Sequence, residues 1–209
     1  MFSYEELVTG YKQSRIDSAD IVLFHQNCSW KHPWESFTPW AIQASTKSPW
    51  NHTGLLYVKE GEFFVIEALT SGVAITHLKD YCDNPKYDVC VATYKSLDTD
   101  ISLLPPERLF ILDEALQQVG EPYDFSAIVG IQFNIWFKRM LQNNRLADKD
   151  DNTHICSRLV ARSYKKATGI RLVINETVWN LTPGGLGRTP LTNYALGNFA
   201  EWEDGRIVA

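Results

Sequence analysis

The chain predicts an α+β fold with a small antiparallel β-sheet or barrel packed against helices. Three observations carry this. Strand-like runs cluster between residues 20 and 94, and helical patterns mostly follow them. Two of those runs, His52 to Lys59 and Glu62 to Ala68, are separated only by Glu60-Gly61, the spacing of a tight hairpin between antiparallel neighbours. The 209 residues, 44% hydrophobic and 22% charged, suit one domain with a sizeable core, so residues 1–209 are read as a single unit.

In chain order, residues 3–14 read as a helix, with Glu5 and Glu6 early and Lys12 and Arg15 late, as the helix dipole favours. Asp20-Ile21-Val22-Leu23-Phe24 is a short apolar strand. After a polar, Trp-containing loop, Thr38-Pro39 caps and opens a helix to about Thr46, which Ser48-Pro49 stops. The hairpin follows, then strands at Val73 to His77 and Tyr87 to Tyr94. Pro105-Pro106 opens a helix to Gln118 that Gly120 and Pro122 end. An apolar helix starts at Asp124, a polar loop spans Asn143 to Asn152, and a helix runs from Cys156 to Thr168 with Gly169 as its C-cap. Thr182-Pro183-Gly184-Gly185 and Thr189-Pro190 read as turns.

Composition narrows the function classes. A net charge of −5 with no basic block argues against nucleic acid as a partner. The acidic, amphipathic start, Met1 to Leu7, does not read as a secretory signal. Cys28, Cys82, Cys90 and Cys156 form no dense disulfide framework, so they are expected as reduced thiols in a cytoplasm. The apolar stretch Phe125 to Leu141, interrupted by Gln132, Asn134, Lys138 and Arg139, is short for a bilayer span; contact with lipid or with a greasy substrate remains open.

Three residues carry the chemistry. Cys156 stands at a helix start, where backbone N–H groups and the dipole favour a thiolate. His52 heads a strand in Trp50-Asn51-His52-Thr53-Gly54, with Gly54 allowing close backbone approach. Glu67 interrupts the apolar strand Phe63 to Ala68, and a carboxylate there needs a partner. With Glu60-Gly61 as the turn, His52 is expected opposite Leu69 and Glu67 opposite Thr53, which makes His52 and Glu67 diagonal neighbours on one face. A carboxylate beside an imidazole fixes its tautomer and stabilises its cation, and an imidazole beside a thiol makes a nucleophile.

In this order and spacing, Ser-Pro-Trp-Asn-His-Thr-Gly, Val-Ile-Glu-Ala, Glu-Pro-Tyr-Asp-Phe and Cys-Ser-Arg-Leu-Val resemble the circularly permuted papain-like hydrolases, the YiiX/YaeF-type branch of the NlpC-like superfamily. The resemblance covers most of the chain. It implies a permuted papain-like fold with the nucleophile at a helix N-terminus, and the roles of nucleophile for Cys156, base for His52 and orienting acid for Glu67. It also suggests Tyr123 as an oxyanion donor beside the backbone N–H of Cys156. Two departures stand out. Arg158 occupies a position that is often acidic in the family, and Ala19-Asp20 replaces the usual Gly-Asp.

The reaction so implied is cleavage of an amide bond in a cell-wall-type or γ-linked peptide through a thioester acyl-enzyme, with no cofactor and no metal. A lipid thioesterase or acyltransferase, suggested by Phe125 to Leu141 and the seven tryptophans, is the nearest alternative, and a non-catalytic peptide or amino-acid binding module is the third. His25, Cys28 and His32 lack a fourth ligand for zinc. His77 and His154 read as structural or exposed, with His154 a minor alternative base. Gly184-Gly185-Leu186-Gly187 is not a phosphate loop, because no strand precedes it and no Gly-Lys follows. The expected partner is a small peptide or acyl substrate. Oligomeric state is not legible.

Overall fold

A computed structural model describes residues 3–26, 48–95, 102–122, 156–172, 182–189, 191–196, 201–203 and 206–208. The helix expected at 38–46, the apolar helix from Asp124 and the loop at 143–152 lie outside these residues.

The chain opens with helix α1 (Tyr4–Lys12), held by a capping box in which the Ser3 hydroxyl accepts from the Glu6 N–H and the Ser3 N–H donates to the Glu6 carboxylate. Strands β1 (Ile21–Gln26), β2 (His52–Lys59), β3 (Glu62–Leu69) and β4 (Gly72–His77) follow, then a four-residue helix α2 (Lys79–Cys82) and β5 (Tyr87–Tyr94). Helix α3 spans Pro105–Leu116, α4 Cys156–Thr168 and α5 Pro183–Arg188. Strands β6 (Thr192–Leu196), β7 (Glu201–Glu203) and β8 (Arg206–Val208) follow.

Six strands form one antiparallel sheet in the order β4-β3-β2-β1-β5-β6, and β7 pairs with β8. The α+β class with an antiparallel sheet is therefore observed. Central β1 is buried from Ile21 to His25, because side chains on both of its faces are covered. On one face Ile21, Leu23, Leu55 and Ile66 pack with Leu159, Val160 and Tyr164 of α4 and with Ile111 and Ala115 of α3. On the other, Val22, Phe24, Leu56, Phe63 and Val65 pack with Leu7 of α1, Leu78 and Cys82.

The β2–β3 hairpin forms with the expected bounds at its turn. Glu60 and Gly61 both have positive φ, 54° and 82°, the conformation of a type I′ turn, and glycine carries the second position without strain. The register pairs Glu67 with Gly54, not with Thr53 as expected. The observed pairing is what gives the shared face, because Gly54 lies two residues from His52 and so faces the same way, whereas a residue opposite Thr53 would face the other. Thr182 to Gly185 is also corrected, from a turn to the start of α5. The Thr182 hydroxyl caps the Gly185 N–H at 3.0 Å and Pro183 takes the first helical position, so the N-terminal signals outweigh the two glycines. Among the described residues no helix is long and apolar enough to cross a membrane.

Candidate active site

His52 is the first residue of β2, paired with Phe24 at the end of β1. Asn51 extends that pairing past the strand. Its N–H donates to the Phe24 carbonyl at 3.0 Å, and its side-chain amide both accepts from and donates to the Gln26 backbone at 3.1 Å. The strand end is thereby fixed before the imidazole leaves it, and the Phe24 ring lies 5.4 Å from the His52 ring.

Glu67, fully buried in β3, brings Oε2 to 2.5 Å from His52 Nε2. The close approach depends on Gly54, directly opposite Glu67. A Cβ at Gly54 would strike the Val65 side chain, stand 2.7 Å from the Ile66 carbonyl oxygen and press on the Glu67 Cβ. With Gly54 bare, the Glu67 carboxylate can cross the strand diagonally to the imidazole.

Cys156 is the first residue of α4 and is 6% exposed. Its helix packs on the face opposite that of His52 and Glu67, but its first turn reaches the end of β2, where the Cys156 side chain acts electrostatically on the His52 imidazole. Glu67 occupies Nε2, so Nδ1 is the ring nitrogen left for the sulfur. The site therefore sits at the end of the sheet, where both faces are within reach of one imidazole.

The electrostatics follow from that position. Burial, the largest influence on His52, would lower its pKa; the Cys156 charge and hydrogen bond, then those of Glu67, raise it to about 10. Burial would raise Glu67, but the hydrogen bond and charge of His52, with donors from Thr76 and Tyr81, hold it below the ordinary carboxylate value. Burial alone pushes the thiols of Cys82 and Cys90 up to about 12, with Asp83 adding to the effect at Cys82, so neither has the surroundings of a nucleophile.

The sequence reading missed Tyr81 and Thr76. The Tyr81 hydroxyl donates to Glu67 Oε1 at 2.7 Å, and Thr76 helps to favour the ionised carboxylate. Thr76 pairs with Val65 and so shares the face of Glu67, a placement readable once Thr70-Ser71 is taken as a second two-residue turn. Tyr81 lies in a helix too short to show a period.

The remaining candidates separate. Tyr123, Cys28, His32 and His154 lie outside the described residues. His25 Nδ1 donates to the Pro49 carbonyl at 2.8 Å. His77 Nδ1 accepts from the Lys79 N–H at 3.1 Å and its ring packs near Tyr4 and Phe64. Among the described residues no group of three His, Cys, Asp or Glu side chains could hold a metal ion. Arg158, in the first turn of α4, is half-buried. At the other departure, Ala19 adopts φ +69°, the left-handed conformation that glycine takes more easily.

The sequence profile described as "Permuted papain-like amidase enzyme, YaeF/YiiX, C92 family" matches residues 19–182, which contain every element of the site. The chain belongs to this family. Family membership makes it a papain-like cysteine amidase at the level of the class. Among solved structures, the chain is similar to the metalloprotein yiiX from Escherichia coli O157:H7. The two share 20% identity over 88% of this chain and 99% of that one, with a TM-score of 0.59, a likeness that speaks to the fold. No curated protein matches the chain.

Proposed function

We propose that this amidase uses Cys156 as nucleophile, His52 as base and Glu67 as the orienting acid, and that it opens an amide bond in a cell-wall-type or otherwise γ-linked peptide. One observation carries the assignment: a single imidazole meets a buried carboxylate through Nε2 and lies within the electrostatic reach of a helix-start cysteine. Burial opposes the His52 imidazolium, and the charges of Cys156 and Glu67 favour it strongly enough to raise it to about 10, so the ring can take the thiol proton or hold it in an ion pair.

The Cys156 sulfur attacks the carbonyl carbon and the carbonyl π pair moves to oxygen. The backbone N–H of Cys156 at the helix start is the donor proposed for the oxyanion, and the family resemblance adds Tyr123. The C–N bond then breaks while His52 gives its proton to the leaving amine. The thioester is resolved by water, from which His52 takes a proton, and the product acid leaves with the thiol restored. Throughout, Glu67 holds the ring and balances its charge.

A Cys156→Ala variant should release no amine from a muropeptide. Wild-type release by that variant would sink the assignment. Iodoacetamide at neutral pH should label Cys156 well before Cys82 or Cys90; equal labelling would favour the binding-module reading. An acyl ester offered beside the muropeptide separates the amidase from the thioesterase reading, whose main support, Phe125 to Leu141, lies outside the described residues. The free thiols at Cys82, Cys90 and Cys156 support a reducing, cytoplasmic setting.

A further inference from the structure

We propose that Tyr81 is a positioning residue that fixes the Glu67 carboxylate in the orientation that meets His52 Nε2. The inference rests on the reading of Cys156, His52 and Glu67 as the working site.

Glu67 is fully buried, and its two oxygens are engaged from different elements. Oε2 meets His52 of β2, and Oε1 accepts from Tyr81 of α2 at 2.7 Å. Thr76 of β4 lies on the same face of the sheet and favours the ionised carboxylate. A carboxylate held at one oxygen can swing about its last torsion; held at both, it presents a fixed lone pair to the imidazole. Tyr81 is itself fixed. Its ring centroid lies 4.5 Å from that of Phe24, which packs against the His52 ring, and 5.0 Å from that of Tyr87, edge to face. Tyr81 thus touches the acid through its hydroxyl and reaches the base through the Phe24 ring. Its phenol has reason to stay a donor, since burial and the Glu67 charge hold it well above its ordinary value.

The donors also favour the ionised acid over the neutral one. The titratable groups facing Glu67 are His52 from β2 and Tyr81 from α2. Tyr87 of β5 faces Tyr81, and Cys156 acts through His52. Removing one donor from this set makes Glu67 easier to protonate, and a protonated Glu67 no longer supports the imidazolium.

The test is Tyr81→Phe, which keeps the ring and removes the hydroxyl. It is read by the pH dependence of iodoacetamide capture at Cys156 and by carboxylate NMR of Glu67. The acid limb of capture and the Glu67 midpoint should both move up by about one pH unit, so that capture at a pH below the limb falls about tenfold. In a Glu67→Gln background Tyr81→Phe should add no further shift. An unmoved limb, or the same shift with Glu67→Gln in place, overturns the proposal, because a purely structural tyrosine would lower stability without moving the limb. Thr76→Val removes a hydroxyl that favours the same ionised carboxylate and gives the same reading if Tyr81→Phe does not fold. If wild-type Cys156 is not captured ahead of Cys82 and Cys90, it is the hydrolase reading that fails, not the role of Tyr81.

Discussion

Two fully buried carboxylates, Asp20 and Glu67, have similar company and opposite fates. Asp20, just before β1, takes Arg108 Nη1 at 2.7 Å and the Asp17 N–H at 2.8 Å. Arg108 also donates to the Ser18 carbonyl, and the Tyr164 hydroxyl donates to the neighbouring Ala19 carbonyl at 2.7 Å. Glu67 takes His52, Tyr81 and Thr76. Each cluster holds one acid, one base and one tyrosine. In the first, the base is a guanidinium that keeps its proton at any working pH, so the cluster is a clamp joining α3 and α4 to the start of β1. In the second, the base can pass its proton on, and the charge of Cys156 acts on it. What separates a brace from a reactive site here is the partner's ability to exchange a proton, not the burial of the acid.

The comparison can be broken in order of size. His52→Asn should lower kcat/KM of the folded protein on the peptide substrate by about 10⁴-fold, and should also cost stability in urea, because it takes the imidazolium from the buried Glu67. Arg108→Ala should cost stability alone: stranding Asp20 costs about 3–5 kcal/mol in urea unfolding, with the folded fraction still capturing iodoacetamide at Cys156. If Arg108→Ala abolished capture in folded protein, the two clusters would not be separable. Gly54→Ala should cost about 1–3 kcal/mol and weaken the His52–Glu67 contact, seen as a lower His52 midpoint by NMR.

The two acids should also bend the stability curve in opposite directions. Burial pushes Asp20 up to about 6 in spite of Arg108, above its unfolded value near 4. Between those values the unfolded chain loses the proton first, so Asp20 lowers stability as pH rises from about 4 to about 6. Glu67 is held below its unfolded value, so its contribution is present above that value and is lost as pH falls through the folded one. His52, raised to about 10, contributes fully below about 6.5 and loses that contribution as pH climbs toward 10. Asp20→Asn should remove the first slope, and Glu67→Gln the second. The smallest effect concerns Ala19→Gly. Relief of a left-handed alanine, worth about 1 kcal/mol, is offset by a lost buried methyl and a looser unfolded chain, so urea midpoints should agree within about 1 kcal/mol.

Sequence was most readable where a local rule had one solution. The Glu60-Gly61 turn marked where the β2–β3 hairpin folds, while the partner expected for Glu67 was one residue off, Thr53 in place of Gly54. The helix from Cys156 to Thr168 showed its apolar face and its glycine end. Long-range partners were not readable: Asp20 and Arg108 lie 88 residues apart, and nothing near Asp20 announces a guanidinium. Helix α2 was too short for periodicity, so Tyr81 went unseen. Strand β6 joined the sheet by pairing with β5, an arrangement that five residues of chain do not specify.

The order of the site along the chain has a meaning in time. A ribosome delivers the His52–Glu67 hairpin first and the Cys156 helix roughly a hundred residues later. The hairpin's contacts are local, so base and acid can align while the chain is still growing. Until α4 is made and seated against Leu55 and Ile66, there is no sulfur at His52 to activate. A nascent or prematurely ended chain of this kind therefore carries the proposed base and acid without the proposed nucleophile.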